Sequence, residues 1–154
     1  MVLDMFAGIG PFSLLAAKKG GRVVAIDKNP VAIWYLRENA RLNKIKESDE
    51  IEILEGDAND LALRYEGESD HVIMNLPHSA SEFLSSALKA AKSGGIVHYY
   101  CIAPENGLFQ DEAIIRGAAK HLNIAAEVVY KGVIRSYAPR RFNVVIDCRI
   151  NKTV

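Results

Sequence analysis

Residues 2–30 read VLDMFAGIGPFSLLAAKKGGRVVAIDKNP. Val2–Phe6 is a short apolar run broken by Gly8 and Gly10. From Pro11 the pattern turns helical through Phe12, Leu14, Leu15, Ala16 and Ala17, and Gly20-Gly21 stops it. Arg22–Asp27 (RVVAID) is a β-branched, buried-strand pattern ending in an acid. Asn29-Pro30 supplies the N-cap and first residue of a second helix. Strand, turn, helix, turn and strand in this order make a βαβ unit, whose right-handed crossover leaves the two strands parallel.

The rest of the chain extends that unit. Val31, Tyr35, Leu36 and Leu42 give the second helix its expected apolar face, and Trp34 is expected to pack on the sheet. Ile51–Leu54 reads as a third strand ending at Glu55-Gly56-Asp57, and His71–Leu76 as a fourth, stopped by Pro77. Ser81–Lys92 is amphipathic through Phe83, Leu84, Ala87, Leu88 and Ala91, with Gly94-Gly95 closing that helix. Ile96–Ile102 is a fifth strand, with Tyr99 and Tyr100 alternating between core and the underside of a helix, and Phe109–Leu122 is helical. Ala126–Ser136 and Phe142–Ile150 are β-rich, joined by the short Tyr137–Arg141 connector. Alternating strands and helices predict a parallel sheet covered on both faces. The closing pair, with no helix between, predicts an antiparallel edge. With no repeat or linker, residues 1–154 read as one domain. Because it starts almost inside the first strand, it is expected to be a fragment of a longer protein.

With 49% hydrophobic residues and balanced charge, the chain has a sizeable core and is not disordered. No apolar stretch reaches the ~18 residues of a membrane span. Cys101 and Cys148 lie in apolar strand-like runs, against both a disulfide framework and a cysteine metal site. His71, His98 and His121 lack metal-ligand spacing. A cytoplasmic monomer without metal is the expectation. The 19 basic and 19 acidic residues hide a split. Residues 131–154 carry Lys131, Arg135, Arg140, Arg141, Arg149 and Lys152 against Asp147, while the preceding body is acidic. Such asymmetry points to a polyanionic partner.

Ligands of doubly wound sheets bind beyond the carboxyl ends of the strands. Those ends present Asp4 and Phe6 before Gly8-Ile9-Gly10, then Asp27-Lys28, Asp57-Ala58 and Asn75-Leu76-Pro77. Gly8 and Gly10 let a ligand approach backbone N–H groups. Asp27 is placed to accept ribose hydroxyls, and Asp57 an adenine amino group. The dinucleotide fingerprint fails, because its last position falls on Ser13 and Pro11 removes a donor. This series suits an adenosyl ligand without phosphates, S-adenosylmethionine. Taken singly, each acid is as well explained as a helix or turn cap. Asn75 can donate to and accept from a nucleobase edge, and Pro77 stiffens the turn; periodicity alone reads the same residues equally well as a strand ended by a proline stop.

The segments VLDMFAGIGPF (2–12), AIDKNP (25–30), VIMNLP (72–77), GIVHYY (95–100) and RSYAP (135–139) resemble the archaeal/eukaryotic-type tRNA guanine-N1-methyltransferases. These belong to the wybutosine-related methyltransferase superfamily and act on the guanosine 3′ of the anticodon. The resemblance implies a class I S-adenosylmethionine-dependent methyltransferase fold, Rossmann-like, with a seven-stranded mostly parallel sheet. It implies that Asp4, Phe6, Gly8, Gly10, Asp27, Lys28, Asp57, Ala58 and Asn75 surround the cofactor, and that Asn75 and Pro77 border the target guanine in the anticodon loop of tRNA. In that family the tRNA-binding domain, the general base and the arginine at guanine O6 precede the glycine motif. The chain is therefore expected to bind cofactor with little turnover of its own.

Guanine N1 carries a proton at neutral pH, so its methylation needs a base and a donor steadying O6. Glu82 is expected to face solvent and His78 to lie at the surface. Arg135, Tyr137, Arg140 and Arg141 are the RNA candidates, since arginine grips phosphate and tyrosine stacks on bases. Their plain alternative is an edge hairpin protected by charge. Aminocarboxypropyl transfer from the same cofactor is the second functional reading, and a non-catalytic cofactor- or RNA-binding module the third. An NAD-linked oxidoreductase ranks last, for want of a phosphate cradle.

Overall fold

The computed structural model describes residues 1–47 and 49–152. The chain runs β1 (Val2–Asp4), α1 (Pro11–Lys18), β2 (Val23–Asp27), α2 (Pro30–Leu42), β3 (Ile51–Glu55), α3 (Ala58–Ala62) and β4 (Ser69–Met74). Then come α4 (Leu84–Ala90), β5 (Ala91–Pro104), α5 (Glu112–His121), β6 (Ile124–Ala138) and β7 (Arg141–Lys152). All seven strands form one sheet in the order β3-β2-β1-β4-β5-β7-β6. β1 to β5 pair in parallel, whereas β7 is antiparallel to both β5 and β6. The expected antiparallel pair is present, but the chain's last strand is interior and β6 is the edge.

The core has two parts. Ile33, Leu36 and Ala40 of α2, with Ala17 of α1, pack on Val23, Ala25, Ile51 and Ile53. On the other face, α3, α4 and α5 cover Leu3, Val24, Val72, Val97, Tyr99 and Ile146. The apolar face expected for α2 is corrected by this packing: Leu36 is buried, but Val31, Tyr35 and Leu42 are exposed. The sheet takes the 33-36-40 stripe, and the aromatic rings of Trp34 and Tyr35 are left outside. Trp34 is likewise 60% exposed rather than packed on the sheet, its ring set edge-on against Tyr35 at 4.8 Å. Of the two adjacent tyrosines, Tyr99 is core, and Tyr100 is half-buried with its ring 5.8 Å from Phe12 of α1. Cys101 and Cys148 are free and buried, and desolvation pushes their thiols up to about 12 and about 11.

The helix expected over Ser81–Lys92 is shorter. Residues 80–83 form a 3₁₀ turn, α4 ends at Ala90, and Ala91 already pairs with Ser69 of β4. Gly94-Gly95 therefore lies inside β5, where the register with β4 slips between Ser69 and His71. A Cβ on Gly95 would stand 2.7 Å from the Ser69 carbonyl oxygen and 3.0 Å from that of Lys92, both fixed backbone atoms. Gly95→Ala is expected to destabilise the fold by about 1–3 kcal/mol, as overpacking does, and urea unfolding measures it.

Candidate functional site

The sheet reverses direction of growth between β1 and β4, and the cleft opens there, beyond the strand ends. The loop after β1 is built first. Gly10 has φ +95°, and a Cβ there would come within 2.1 Å of Leu36 Cδ1, so only glycine lets this loop lie on α2. The Asp27 carboxylate at the end of β2 receives the Gly8 N–H at 2.8 Å on one oxygen and the Asn29 N–H at 2.9 Å on the other. Asn29 caps α2 by accepting from Val31 N–H at 3.0 Å. Asp57 caps α3, accepting from Asn59 N–H at 2.8 Å. The acids are thus caps and turn-formers, as their plain reading has it. Yet Asp27 and Asp57 also line the cleft, so the two readings coincide.

The cavity has a volume of about 380 Å³. Met5 and Phe6 line it from the first strand's end, Asp27 and Lys28 from the second, Gly56, Asp57 and Ala58 from the third, and Asn75 and Leu76 from the fourth. Ser79, Glu82 and Phe83 complete the wall. Phe83 meets Phe6 edge-to-face at 4.9 Å, making an apolar side suited to a flat ring. Of the residues named from sequence, Phe6, Asp27, Lys28, Asp57, Ala58 and Asn75 come together here. Asp4, Gly8, Gly10 and Pro77 are not among the lining residues.

Glu82 and Phe83 belong to the site although sequence periodicity placed them on a helix. Glu82 is exposed, as expected, but at the cleft, because residues 80–83 form a 3₁₀ turn that faces it. The short spacing from Asn75-Leu76-Pro77 was the available signal. Three carboxylates against one ammonium make the lining acidic. Such a lining repels a pyrophosphate and attracts a cationic ligand.

The β6–β7 hairpin reaches the same end of the sheet, because Arg141 pairs with Pro104 at the carboxyl end of β5. Arg135, Tyr137, Arg140 and Arg141 are all exposed there. Arg140 sits in the turn at φ +58° and pairs loosely with Glu105 at 3.3 Å. Away from the cleft the fold assembles a group that sequence spacing did not show. His71 Nδ1 lies 3.0 Å from His98 Nε2, and His98 Nδ1 lies 2.9 Å from Asp147 Oδ1. Burial and the His98 charge lower the pKa of His71. Among the described residues no group of three or more such side chains could hold a metal ion.

With this geometry in place, the likeness to known proteins is specific. The sequence model of the TRM5/TYW2 methyltransferase domain matches residues 1–134. The chain belongs to the TRM5/TYW2 methyltransferase-domain family. It is 45% identical to the tRNA (guanine(37)-N(1))-methyltransferase Trm5b of Pyrococcus abyssi, over 98% of this chain and 44% of that protein. It is 34% identical to a tRNA(Phe) (4-demethylwyosine(37)-C(7)) aminocarboxypropyltransferase of Pyrococcus horikoshii, over 99% of this chain and 54% of that one. The crystal structure of Methanocaldococcus jannaschii TYW2 in complex with AdoMet superposes with a TM-score of 0.89, at 30% identity, over 99% of this chain and 68% of that one. The chain spans less than half the length of its Trm5b relative.

Near this cleft, Asp4 at the end of β1 carries an energetic burden. Asp4 is 1% exposed, its Oδ2 accepts the Ser13 hydroxyl at 2.7 Å, and its Oδ1 is buried with no hydrogen-bond partner of good geometry among the described residues. Burial foremost, with repulsion from Asp27, pushes its pKa up to about 6 against the Ser13 hydrogen bond. A carboxyl whose folded pKa exceeds its unfolded one destabilises the fold once ionised. The penalty starts above the unfolded pKa of about 4 and is complete above about 6, where it is on the order of 2–3 kcal/mol. Relative to Asp4→Asn, the wild type is expected to lose that much stability as pH rises across this window. Urea unfolding of both proteins at intervals from about pH 4 to about pH 7 measures the difference.

Proposed function

We propose that the cleft binds S-adenosylmethionine and that the chain, as one cofactor-binding domain, serves methyl transfer to N1 of the guanosine 3′ to the tRNA anticodon. The single observation that carries this is the acidic cavity at the sheet's switch point, bounded by Phe6 and Phe83 and bordered by Asn75. Its volume falls within the range of pockets that enclose drug-sized ligands. Asp27 retains lone pairs for a ribose diol beyond the two backbone N–H groups it accepts. Asp57 and Ala58 face the position of an adenine edge, and the Phe6–Phe83 pair its ring. Bound there, the cofactor supplies an electrophilic methyl group on a sulfonium. Asn75, just past the end of β4, orients the guanine edge through its amide, and Pro77 stiffens the turn that carries it.

The greater likeness to Trm5b than to the aminocarboxypropyltransferase supports methyl transfer over its alternative. The exposed arginines at the hairpin tip support an RNA substrate approaching from the same end of the sheet. A cytoplasmic, monomeric, metal-free protein accords with this reading.

Titration calorimetry with S-adenosylmethionine and with NAD tests the cleft. Binding of the first and not the second is expected, and Asp27→Asn is expected to weaken it roughly 10- to 100-fold, the worth of a charged hydrogen bond. Preference for NAD would overturn the reading. For RNA, Arg140→Ala combined with Arg141→Ala is expected to lower the slope of log affinity against log salt by about 1–2. An unchanged slope would remove the hairpin from the phosphate contacts.

A further inference from the structure

The residue after Asn75-Leu76-Pro77 is His78, and its ring meets a side chain from the far end of the chain. The Tyr137 hydroxyl lies 3.3 Å from His78 Nε2, and the two rings stand edge-to-face, 5.6 Å apart at 73°. Both residues are exposed, Tyr137 by 49%. They come from separate elements: His78 from the loop that follows β4, Tyr137 from the penultimate position of β6 before the hairpin tip.

The loop beneath them is held in place. Ile102 N–H donates to the Pro77 carbonyl at 3.3 Å, and Ser79 N–H to that of Leu76 at 3.2 Å. On either side of Pro77-His78, Leu76 and Ser79 line the cavity, so His78 stands at its rim. Neither the core nor a helix cap uses the His78–Tyr137 contact. Ordering two exposed side chains against each other costs conformational entropy, and the contact lies between the cleft and the exposed arginines of the hairpin.

We propose that His78 and Tyr137 form an aromatic rim that receives the target nucleobase, deepening the RNA methyltransferase reading on which it rests. The His78 imidazole contacts the extruded base, as aromatic side chains do with unstacked bases in single-stranded loops. Tyr137 is a positioning residue, whose hydroxyl hydrogen-bonds the imidazole and fixes the plane in which it meets the base. Arg140 and Arg141, on the same hairpin, bring the phosphate backbone to the base's point of entry.

The test uses an anticodon stem-loop RNA carrying 6-thioguanosine at the position 3′ to the anticodon, irradiated in complex with the complete gene product. The expected crosslink maps by mass spectrometry to the peptide containing His78 or to that containing Tyr137. In parallel, methylation of the unmodified stem-loop is measured. His78→Ala is expected to reduce kcat/KM for RNA roughly 5- to 100-fold, the range of a lost stacking contact, and His78→Phe to restore part of it. Tyr137→Phe, which keeps the ring and removes the hydroxyl, is expected to reduce it about 3- to 10-fold. Affinity for S-adenosylmethionine stays at the wild-type value in all three. Wild-type kinetics in the variants, or loss of cofactor affinity in step with activity, would overturn the rim. A crosslink at His78 in a protein that methylates no guanosine would keep the rim and overturn the reaction.

Discussion

The cleft depends on one carboxylate. Asp27 accepts the Gly8 N–H from the loop after β1 and the Asn29 N–H at the start of α2. The backbone around it is tied in the same way: Ala7 N–H donates to the Ile26 carbonyl at 2.8 Å and Gly56 N–H to the Asp27 carbonyl at 3.0 Å. Three strand ends are thus joined at one residue, and the walls they carry are set relative to each other. Hydrogen bonds to an ionised acceptor are stronger than those between neutral groups. Close packing supports them, since the Gly10 loop lies directly on Leu36.

Beside this hub the fold tolerates a cost. Asp4 is buried, held by Ser13 and opposed by the Asp27 charge. An apolar residue at the end of a central strand would serve the core better. A buried carboxyl with a strongly raised pKa is a feature that functional sites and structural networks share.

The C-terminal strands do more than extend the sheet. Inserting β7 between β5 and β6 sends the hairpin tip to the carboxyl end of the parallel strands, where Arg141 faces Pro104. β6 is left as the edge, and its register against β7 slips at three points along its length. Such irregularities discourage pairing with another chain, although Val133, Ile134 and Tyr137 are exposed.

The sequence by itself determined the βαβ order, the breaks between elements and the acids at the strand ends, because these depend on local periodicity, capping and turn chemistry. Asp27, Asp57 and Asn75 were legible for that reason: each stands at or just past the end of a strand, where a turn begins. The buried face of α2, the exposure of Trp34, the entry of Gly94-Gly95 into β5 and the interior place of β7 were decided only by the tertiary structure. Each depends on which surface a neighbouring element offers, and helical periodicity cannot choose between two apolar stripes. The same holds for the site's missing parts. Phe83 reaches Phe6, and Tyr137 reaches His78, across long stretches of chain. Contacts so far apart in sequence are set by sheet order, and no local pattern encodes them.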